Sequence, residues 1–361
     1  MKALSDLPAA SAVPRRKQPM LSRVANSLYW LGRYFERAEN AARLLDVNLQ
    51  LLLDFEKLDD QTLKEHWLPI LRSAGDEALF FQLFPSPDSQ SVTEFLTFSP
   101  ANPNSILSCF FAARENARMI RDQVSLEMWE TINDLFLFLK SADARTVWEN
   151  SAGEFYARIR HTAHLFQGLV ESSFSRDEGY DFIQLGRYIE RADKTIRILD
   201  LKYHILLPAG TEVGGAVDAA QWRAVLRSAS ALEAYRRFYV SEILPWKVAE
   251  FLLFSESFPR SVRHCIGQMD FYLRRISGTP VGQHRNEAER LCGRLHSELS
   301  YTSVEEVFKK GLHEFLTGIL PVLDEVSSII YDTFMAYDPV DLGAEVRVHQ
   351  QEEQQQQTGG G

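Results

Sequence analysis

Two segments of the chain carry acidic and basic side chains at the same spacing, LGRYFERAEN at Leu31–Asn40 and LGRYIERADK at Leu185–Lys194. In each segment two carboxylates lie three residues apart, which places them on the same face of a helix. Carboxylates on one helical face can bind a metal ion or transfer protons, and arginines beside them can instead neutralise them. The candidate site residues of the two segments are Arg33, Glu36, Arg37, Glu39, Arg187, Glu190, Arg191 and Asp193.

Ion-pair partners for these carboxylates are available within each helix. Glu36 lies three residues from Arg33, and Glu39 lies four residues before Arg43. The second segment repeats both spacings. These pairs favour a structural role, in which the charges fix how two halves of the molecule pack. The other interpretation is a pair of acidic sites related by pseudo-symmetry, and the spacing leaves it open.

A carboxylate-bridged metal centre matches these segments poorly. Di-iron bundles use Glu-x-x-His on two helices, whereas both segments lack histidine and their arginines would repel a cation. His161 and His164 have no acidic neighbour within one helical turn. The sequence therefore predicts no metal site and no cofactor.

A second basic cluster lies in ARENARMIRDQVSLEMWE, residues 113–130. Arg114, Arg118 and Arg121 fall at i, i+4 and i+7, so a helix would align them in one stripe that could hold a phosphate or carboxylate. At the matching positions of the second half of the chain, only Arg118 has an arginine counterpart. A stripe present in one half is less easily explained by symmetric packing, although a solvated face with local ion pairs remains the alternative.

Common enzyme motifs are missing from the sequence. There is no G-x-x-x-x-G-K-[ST] phosphate loop, no G-x-G-x-x-G after a strand and no G-x-S-x-G elbow. Cys109 and Cys265 lie at matching positions on helical stretches, which predicts buried side chains rather than nucleophiles.

Helical periodicity between residues 21 and 335 predicts the elements that carry these side chains. In the first helix apolar residues step by three or four, and further apolar residues opposite them predict packing on more than one side. Gly32 and Gly186 lie inside the two charged helices, where a glycine costs about 1 kcal/mol relative to alanine. Glycine at both equivalent positions predicts the close approach of another helix backbone.

Local signals predict where other helices begin and where loops lie. Ser175 and Ser303 each precede a glutamate by three residues, which is the spacing of a capping box. Pro103 and Pro259 suit the first position of a helix. The segment 84–103 is predicted to be a loop.

An internal repeat organises the chain. Segments 31–46 and 185–200 are identical at ten of sixteen positions, and the similarity continues to residue 109, which matches residue 265. We therefore predict an all-α, multi-helix bundle built from two pseudo-symmetric helical repeats, with about ten to twelve helices. The predicted helical domain spans 20–335, with repeats at about 21–135 and 176–278 and C-terminal helices at about 283–335.

Composition limits the possible partners and compartments. The net charge of −10 argues against a nucleic-acid-binding protein, and the absence of a long apolar run argues against a membrane span. Three cysteines without a C-x-x-C pair fit a reducing cytoplasm. Residues 1–19 are predicted to be a disordered leader, and residues 336–361 a disordered glutamine-rich tail.

Three long stretches resemble the bacterial alpha-E family, an all-helical domain named for a conserved Glu-Arg motif. They are MLSRVANSLYWLGRYFERAENAARLLD, ARENARMIRDQVSLEMWETIN and SRDEGYDFIQLGRYIERADKTIRILDLKY. FPRSVRHC and AERLCGRL also fit, so the resemblance covers residues 20–331. Tyr180 stands where many members of the family carry tryptophan.

The resemblance implies a cellular setting rather than a reaction. Members of the family are encoded beside, or fused to, circularly permuted ATP-grasp proteins and transglutaminase-like peptidases, in systems thought to form or remove amide bonds on peptides or proteins. It therefore implies partners of these two classes and a non-catalytic helical component that docks a partner or presents a substrate. The alternatives are an enzyme of amide-bond chemistry, using the Glu-Arg motif with Arg114, Arg118 and Arg121, and a binder of a small ligand.

Overall fold

The computed structural model describes residues 20–53, 60–142, 147, 152–204, 215–240 and 242–336. Over these ranges the chain is helical and contains no strand, which confirms the all-α fold class. The described ranges contain fifteen α-helices followed by one π-helical turn, so the prediction of ten to twelve helices was too low.

The helix bounds are α1 Ser22–Leu53, α2 Asp60–Ala74, α3 Glu77–Leu83, α4 Ser89–Thr97, α5 Ile106–Met119, α6 Leu126–Ser141, α7 Ala152–Ser173, α8 Glu178–His204, α9 Ala216–Ser228, α10 Leu232–Tyr239, α11 Pro245–Phe254, α12 Val262–Ser277, α13 Glu287–Tyr301, α14 Val304–Lys310 and α15 Leu312–Ile330. The π-helical turn is Tyr331–Met335.

Short helices explain why the structure contains more helices than predicted. The predicted loop 84–103 contains α4, because Asp88 caps its first turn by accepting hydrogen bonds from the backbone N–H groups of Gln90 and Ser91. Helices as short as α3, α4 and α14 have too few turns for apolar periodicity to stand out.

Serine side chains set several helix starts. The capping box predicted at Ser303 is confirmed, whereas α8 is capped by Asp177 instead of Ser175. Ser105 and Ser261 are the N-caps of α5 and α12. Pro103 and Pro259 were therefore wrongly predicted at first helical positions, and both lie in the turns before these caps.

The two charged helices, α1 and α8, form the centre of the molecule. They pack against each other, and α1 also contacts α5 and α7 while α8 contacts α12 and α15. Tyr29, Leu44 and Val47, on the second side of α1, are all buried, which confirms that this helix packs on more than one side.

Gly32 and Gly186 lie where α1 and α8 cross. A Cβ atom added at Gly32 would overlap the carbonyl oxygen of Ile183, and one added at Gly186 would overlap the carbonyl oxygen of Tyr29. The two backbones thus touch at both glycines, as predicted, and no other residue type fits there without separating the helices.

Residues 1–19 and 337–361 lie outside the described residues, so the predicted leader and almost all of the predicted tail stay predictions. Of the helices in the described part of the chain, none is long and apolar enough to cross a membrane.

Candidate functional site

The charged helices α1 and α8 exchange carboxylates across their contact. Glu36 of α1 is fully buried and accepts two hydrogen bonds from Arg191 of α8, from Nε at 2.8 Å and from Nη2 at 2.7 Å. Glu190 of α8 accepts the corresponding pair from Arg37 of α1, from Nε at 2.7 Å and from Nη2 at 2.9 Å. Two reciprocal, bidentate arginine–carboxylate pairs therefore hold the helices together.

A second arginine approaches each carboxylate from the facing helix. The Nε atom of Arg33 donates to Glu190 at 2.9 Å, and that of Arg187 lies 4.0 Å from Glu36. The predicted pairing of Arg33 with Glu36, and of Arg187 with Glu190, inside each helix was therefore wrong. The close contact at the glycines brings the carboxylate of the facing helix within reach of these long side chains.

The second acid of each segment pairs within its own helix, as predicted. Arg43 donates from Nη2 to Glu39. Arg197 donates from Nε to both oxygens of Asp193, at 2.9 and 3.0 Å. Each pair joins residues four positions apart on the helix, the favourable order for a carboxylate followed by an arginine.

Arg260 is a site residue that the sequence pattern did not indicate. It precedes the N-cap of α12, and its Nη1 atom donates to Glu36 at 2.9 Å and to Asn40 at 3.2 Å. Its Nη2 atom donates to Glu39 at 2.8 Å. The available signal was a mismatch in the repeat, since Asn104 occupies the matching position in the first half.

On the Glu190 side, Lys194 provides the additional cation. Its Nζ atom lies 3.6 Å from Glu190 and 3.0 Å from Asp193. Asn104 carries no charge and accepts a hydrogen bond from Nη1 of Arg37 at 2.7 Å. Both carboxylate pairs thus receive a further cation, from different parts of the chain.

Side chains of α7 and α15 complete the network. Nη1 of Arg33 donates to Oγ of Ser327 in α15 at 2.8 Å. Gln167 of α7 accepts from Nη2 of Arg187 at 3.0 Å and donates to Glu36 at 3.3 Å. The two charged segments therefore tie four helices together.

The neighbouring cations keep the buried acids ionised. Burial alone would raise the pKa of Glu36, but Arg191 and Arg260 outweigh it and lower the pKa to about 2. Burial is likewise outweighed at Glu39, chiefly by Arg260, and at Glu190, so both have pKa values well below the ordinary one. Carboxylates that hold no proton at neutral pH, and whose oxygens are occupied, are poor general acids or bases.

The three arginines Arg114, Arg118 and Arg121 do not all lie on one helix, and binding of an anion by them stays a prediction. Helix α5 ends at Met119, so Arg121 lies beyond it. The guanidinium carbons of Arg114 and Arg121 each lie 5.6 Å from the ring centre of Trp129 in α6. Arg118 is largely exposed and pairs with Glu115 of the same helix at 2.6 Å, whereas Arg114 and Arg121 brace α5 and the turn after it against α6.

Two of the buried cysteines, Cys109 and Cys265, lie in surroundings that do not activate a thiol. Cys109 and Cys265 are fully buried, as predicted, and burial raises the pKa of each thiol to about 12. Such thiols are protonated at neutral pH and are poor nucleophiles. Among the residues described, no group of three or more histidine, cysteine, aspartate or glutamate side chains could hold a metal ion.

Comparison of the sequence with known proteins identifies its relatives. Uncharacterized proteins of Mycobacterium bovis and of two Mycobacterium tuberculosis strains are 26% identical to the chain over 336 residues, which cover 87% of it. The chain spans only 37% of the length of these relatives. No solved structure gives a significant match. The model of the Alpha-E family, described as a predicted alpha-helical domain with a conserved ER motif, matches residues 20–335, and the chain belongs to this family.

Proposed function

We propose that this protein is a non-catalytic helical component of a bacterial system that forms or removes amide bonds on peptides or proteins. It acts as a scaffold that docks a circularly permuted ATP-grasp protein or presents the substrate to it. A transglutaminase-like peptidase is the second proposed partner, and the cytoplasm is the proposed location.

The state of the Glu-Arg motif carries the non-catalytic part of this proposal. Glu36 and Glu190 are buried, ionised and hydrogen-bonded to arginines of the facing helix. Their pKa values are lowered, so neither can take up a proton near neutral pH. The motif is built to fix two helices in one orientation, which is what a rigid docking platform needs.

The length of the mycobacterial relatives supports action within a larger assembly. The matching region makes up 37% of each of those chains, so most of each relative lies outside it. A helical region that occurs joined to a larger polypeptide is suited to work beside other domains. The ATP-grasp and peptidase classes come from the family resemblance.

We further propose that the fold consists of two pseudo-symmetric halves. The reciprocal contacts support it, since Arg37 binds Glu190 while Arg191, at the matching position of the repeat, binds Glu36. The reciprocal contact at Gly32 and Gly186 supports it as well.

The alternative function, an enzyme that uses the Glu-Arg motif together with the arginine stripe, has less support than the scaffold. Arg114 and Arg121 contact α6, and Arg118 points to solvent with a side-chain exposure of 65%. Glu36 makes its contacts with α8, α7 and the residue before α12, and Glu190 makes its contacts with α1. Within the described part of the chain, no hydrogen bond or ion pair joins these two sets of residues.

Co-purification tests the scaffold. The full chain carries an affinity tag and is co-expressed with the ATP-grasp protein encoded nearest to it, and the eluate is analysed by size-exclusion chromatography with and without Mg-ATP. We expect a complex of defined stoichiometry. Separate elution of the two proteins under both nucleotide conditions would refute docking to this partner.

A conservative substitution distinguishes the scaffold hypothesis from the enzyme hypothesis. It is assayed in the co-expressed complex of the chain and the ATP-grasp protein. Asp193→Glu keeps the negative charge and installs the residue found at the matching Glu39. A structural carboxylate should tolerate it, with unchanged amide-bond turnover, whereas displacing a catalytic carboxylate by about 1 Å can cost about 100-fold in rate. A large loss of turnover at unchanged melting temperature would argue for catalysis by the motif.

A further inference from the structure

An open groove lies between the end of α10, the second half of α11 and the turn that follows α11. Its cavity volume is about 420 Å³, which is within the range of ligand-binding sites. Besides two serines, the groove is lined by four aromatic side chains and two acids, namely Phe238, Tyr239, Phe251, Phe254, Glu250 and Glu256. No residue of the Glu-Arg motif is among them, so the groove is separate from the site described above.

Aromatic rings supply the apolar part of the groove. Phe251 is buried, and its ring centre lies 5.6 Å from that of Phe238 and 6.2 Å from that of Tyr239. Phe238 is 60% exposed, although it is a large apolar side chain. The face of an aromatic ring attracts a cation within about 6 Å of its centre. A cation in the groove is therefore within reach of more than one ring.

Glu250 adds a carboxylate with one free oxygen. Its Oε2 atom accepts a hydrogen bond from the hydroxyl group of Tyr239 at 2.7 Å. Within the described part of the chain, its Oε1 atom accepts no hydrogen bond and no cationic side chain pairs with this carboxylate. Tyr239 thus holds a negative charge beside the aromatic rings and leaves one oxygen for a ligand.

The charged side chains that line the groove are both acidic. Glu256 pairs with Arg263, which lies outside the lining. Lys247 lies outside the lining as well, and its charge is paired with Glu242 at 3.4 Å. Among the described residues that line the groove, none is a lysine, arginine or histidine. The charge of Glu250 is therefore not compensated locally, and it attracts a cationic ligand.

The polar groups of the groove are present in only one half of the repeat. In the first half, Phe84 stands at the position of Tyr239 and makes the matching ring contacts. Pro100 stands at the position of Glu256. The first half therefore lacks both the hydroxyl group that positions a carboxylate and the second acid. Symmetric packing does not require these groups in the second half.

We infer that this groove binds a basic side chain, arginine or lysine, of a peptide or protein segment that carries apolar residues beside it. The cationic group pairs with Oε1 of Glu250 and lies against the rings of Phe238 and Tyr239, and a neighbouring apolar side chain packs on Phe254. In naming a class of peptide the inference rests on the scaffold function proposed above, whereas the binding itself needs no partner enzyme.

Isothermal titration calorimetry of the full chain tests the inference, with acetyl-Leu-Arg-Leu-amide as the probe. In the comparison peptide citrulline replaces arginine, which keeps the length of the side chain and removes its charge. We expect the arginine peptide to bind about tenfold or more tighter than the citrulline peptide, because the latter lacks the charge-assisted contact to Glu250. Tetramethylammonium, a cation without a peptide, should bind more weakly than the arginine peptide.

Two substitutions locate the binding. Glu250→Gln keeps an acceptor for the Tyr239 hydroxyl group and removes the charge, so it should weaken binding of the arginine peptide about tenfold. Phe238→Leu removes a largely exposed ring and should weaken this binding about two- to fivefold, so it serves if Glu250→Gln fails to fold. The matched control is Glu94→Gln, the same change at the matching position of the first half, which should leave binding unchanged.

Three results would overturn the inference. The first is no heat of binding for the arginine peptide at millimolar concentration with the folded wild-type chain. The second is equal affinity for the arginine and citrulline peptides, or for wild type and every folded groove variant. The third is binding of tetramethylammonium that is tighter than that of the arginine peptide, which would make the groove a site for a small organic cation.

These results are distinguishable from a failure of the proposed scaffold function. A chain that binds the arginine peptide and elutes separately from the ATP-grasp protein would retain the groove and refute docking to that partner. A chain that forms the complex and gives no heat with the peptide would do the reverse.

Discussion

Glu36 and Glu190 occupy matching positions of the repeat, yet their surroundings differ. Arg260, from the turn before α12, closes over Glu36 and also reaches Glu39. At Glu190 the equivalent charge comes from Lys194, one helical turn along the same helix. The Glu36 site is therefore sealed by a distant segment of the chain, whereas the Glu190 site is sealed locally, and its cations Arg37 and Lys194 line a cleft.

The difference amounts to an exchange of two residues. The Glu36 site combines the neutral Asn40 with the cationic Arg260, and the Glu190 site combines the cationic Lys194 with the neutral Asn104. Each site keeps one extra cation, so the charge requirement is met in both. The residue that supplies this cation determines whether the space beside the carboxylate is filled or open.

Removing the charge of Glu36 should have the largest effect. Glu36→Gln leaves Arg191 and Arg260 without their shared buried partner, and the expected loss of unfolding free energy is about 3–5 kcal/mol. Glu190→Gln should cost less, because Arg33, Arg37 and Lys194 retain side-chain exposures of 14–19% and gain hydration. Urea denaturation of both variants measures the two losses of unfolding free energy. Equal losses would show that the two sites are equally sealed.

Acidification should destabilise the protein through the same carboxylates. The pKa of Glu36 is about 2 in the folded chain, and its ordinary value, which applies in the unfolded chain, is 4.5. As the pH falls, the unfolded chain therefore binds a proton at Glu36 before the folded chain does. The stabilisation is complete above pH 4.5 and is lost as the pH falls towards 2, by about 3 kcal/mol for this group. Urea midpoints between pH 7 and pH 2.5 test this, and a flat profile below pH 4.5 would contradict it.

The helix crossing should be sensitive to a single methyl group. Gly186→Ala places a Cβ atom on the carbonyl oxygen of Tyr29, so α1 and α8 must separate, at a cost of about 1–3 kcal/mol. Gly168→Ala is the matched control, since nothing lies within 4 Å of the added atom in α7. The control should gain stability by about 0.5–1 kcal/mol. Similar melting temperatures for the two variants would mean that the backbones do not touch.

The residue exchange itself can be tested by a double-mutant cycle. Lys194→Asn should lose about 1.5 kcal/mol, because a charged contact to Glu190 and Asp193 disappears. Adding Asn104→Arg should restore part of that loss by recreating the arrangement around Glu36. Urea denaturation of the two single variants and the double variant gives the coupling energy. A coupling energy of zero would show that an arginine at position 104 does not replace Lys194.

Features that depend on neighbours in the sequence were predictable. The all-α class followed from periodicity, the close contact at Gly32 and Gly186 from their unfavourable position, and the Glu39–Arg43 pair from a four-residue spacing. Each is a property of a single helix, or of a residue type whose presence inside a helix has few structural explanations. The burial of α1 on two sides followed in the same way from its apolar pattern.

Features that depend on the reach of side chains between helices were not predictable. Arg33 was expected to pair with Glu36, and it binds Glu190 because the crossing brings that carboxylate closer. Arg260 was not assigned to the site because it lies 224 residues from Glu36, and the mismatch with Asn104 in the repeat was the one sign of its role. The helical placement of Arg121 was wrong for a different reason, since α5 ends at Met119 and the helical spacing no longer applies to Arg121.

The contacts of Arg33 and Arg260 also determine when the centre of the protein can assemble. Glu36 meets Arg260 across 224 residues, and Arg33 meets Ser327 across 294. A ribosome has to synthesise 224 residues beyond Glu36, and 294 beyond Arg33, before these two contacts can form. Contacts of such long sequence separation slow folding and lengthen the period in which an incomplete chain can aggregate. Helix α1 therefore reaches its final environment only after these later segments have been synthesised.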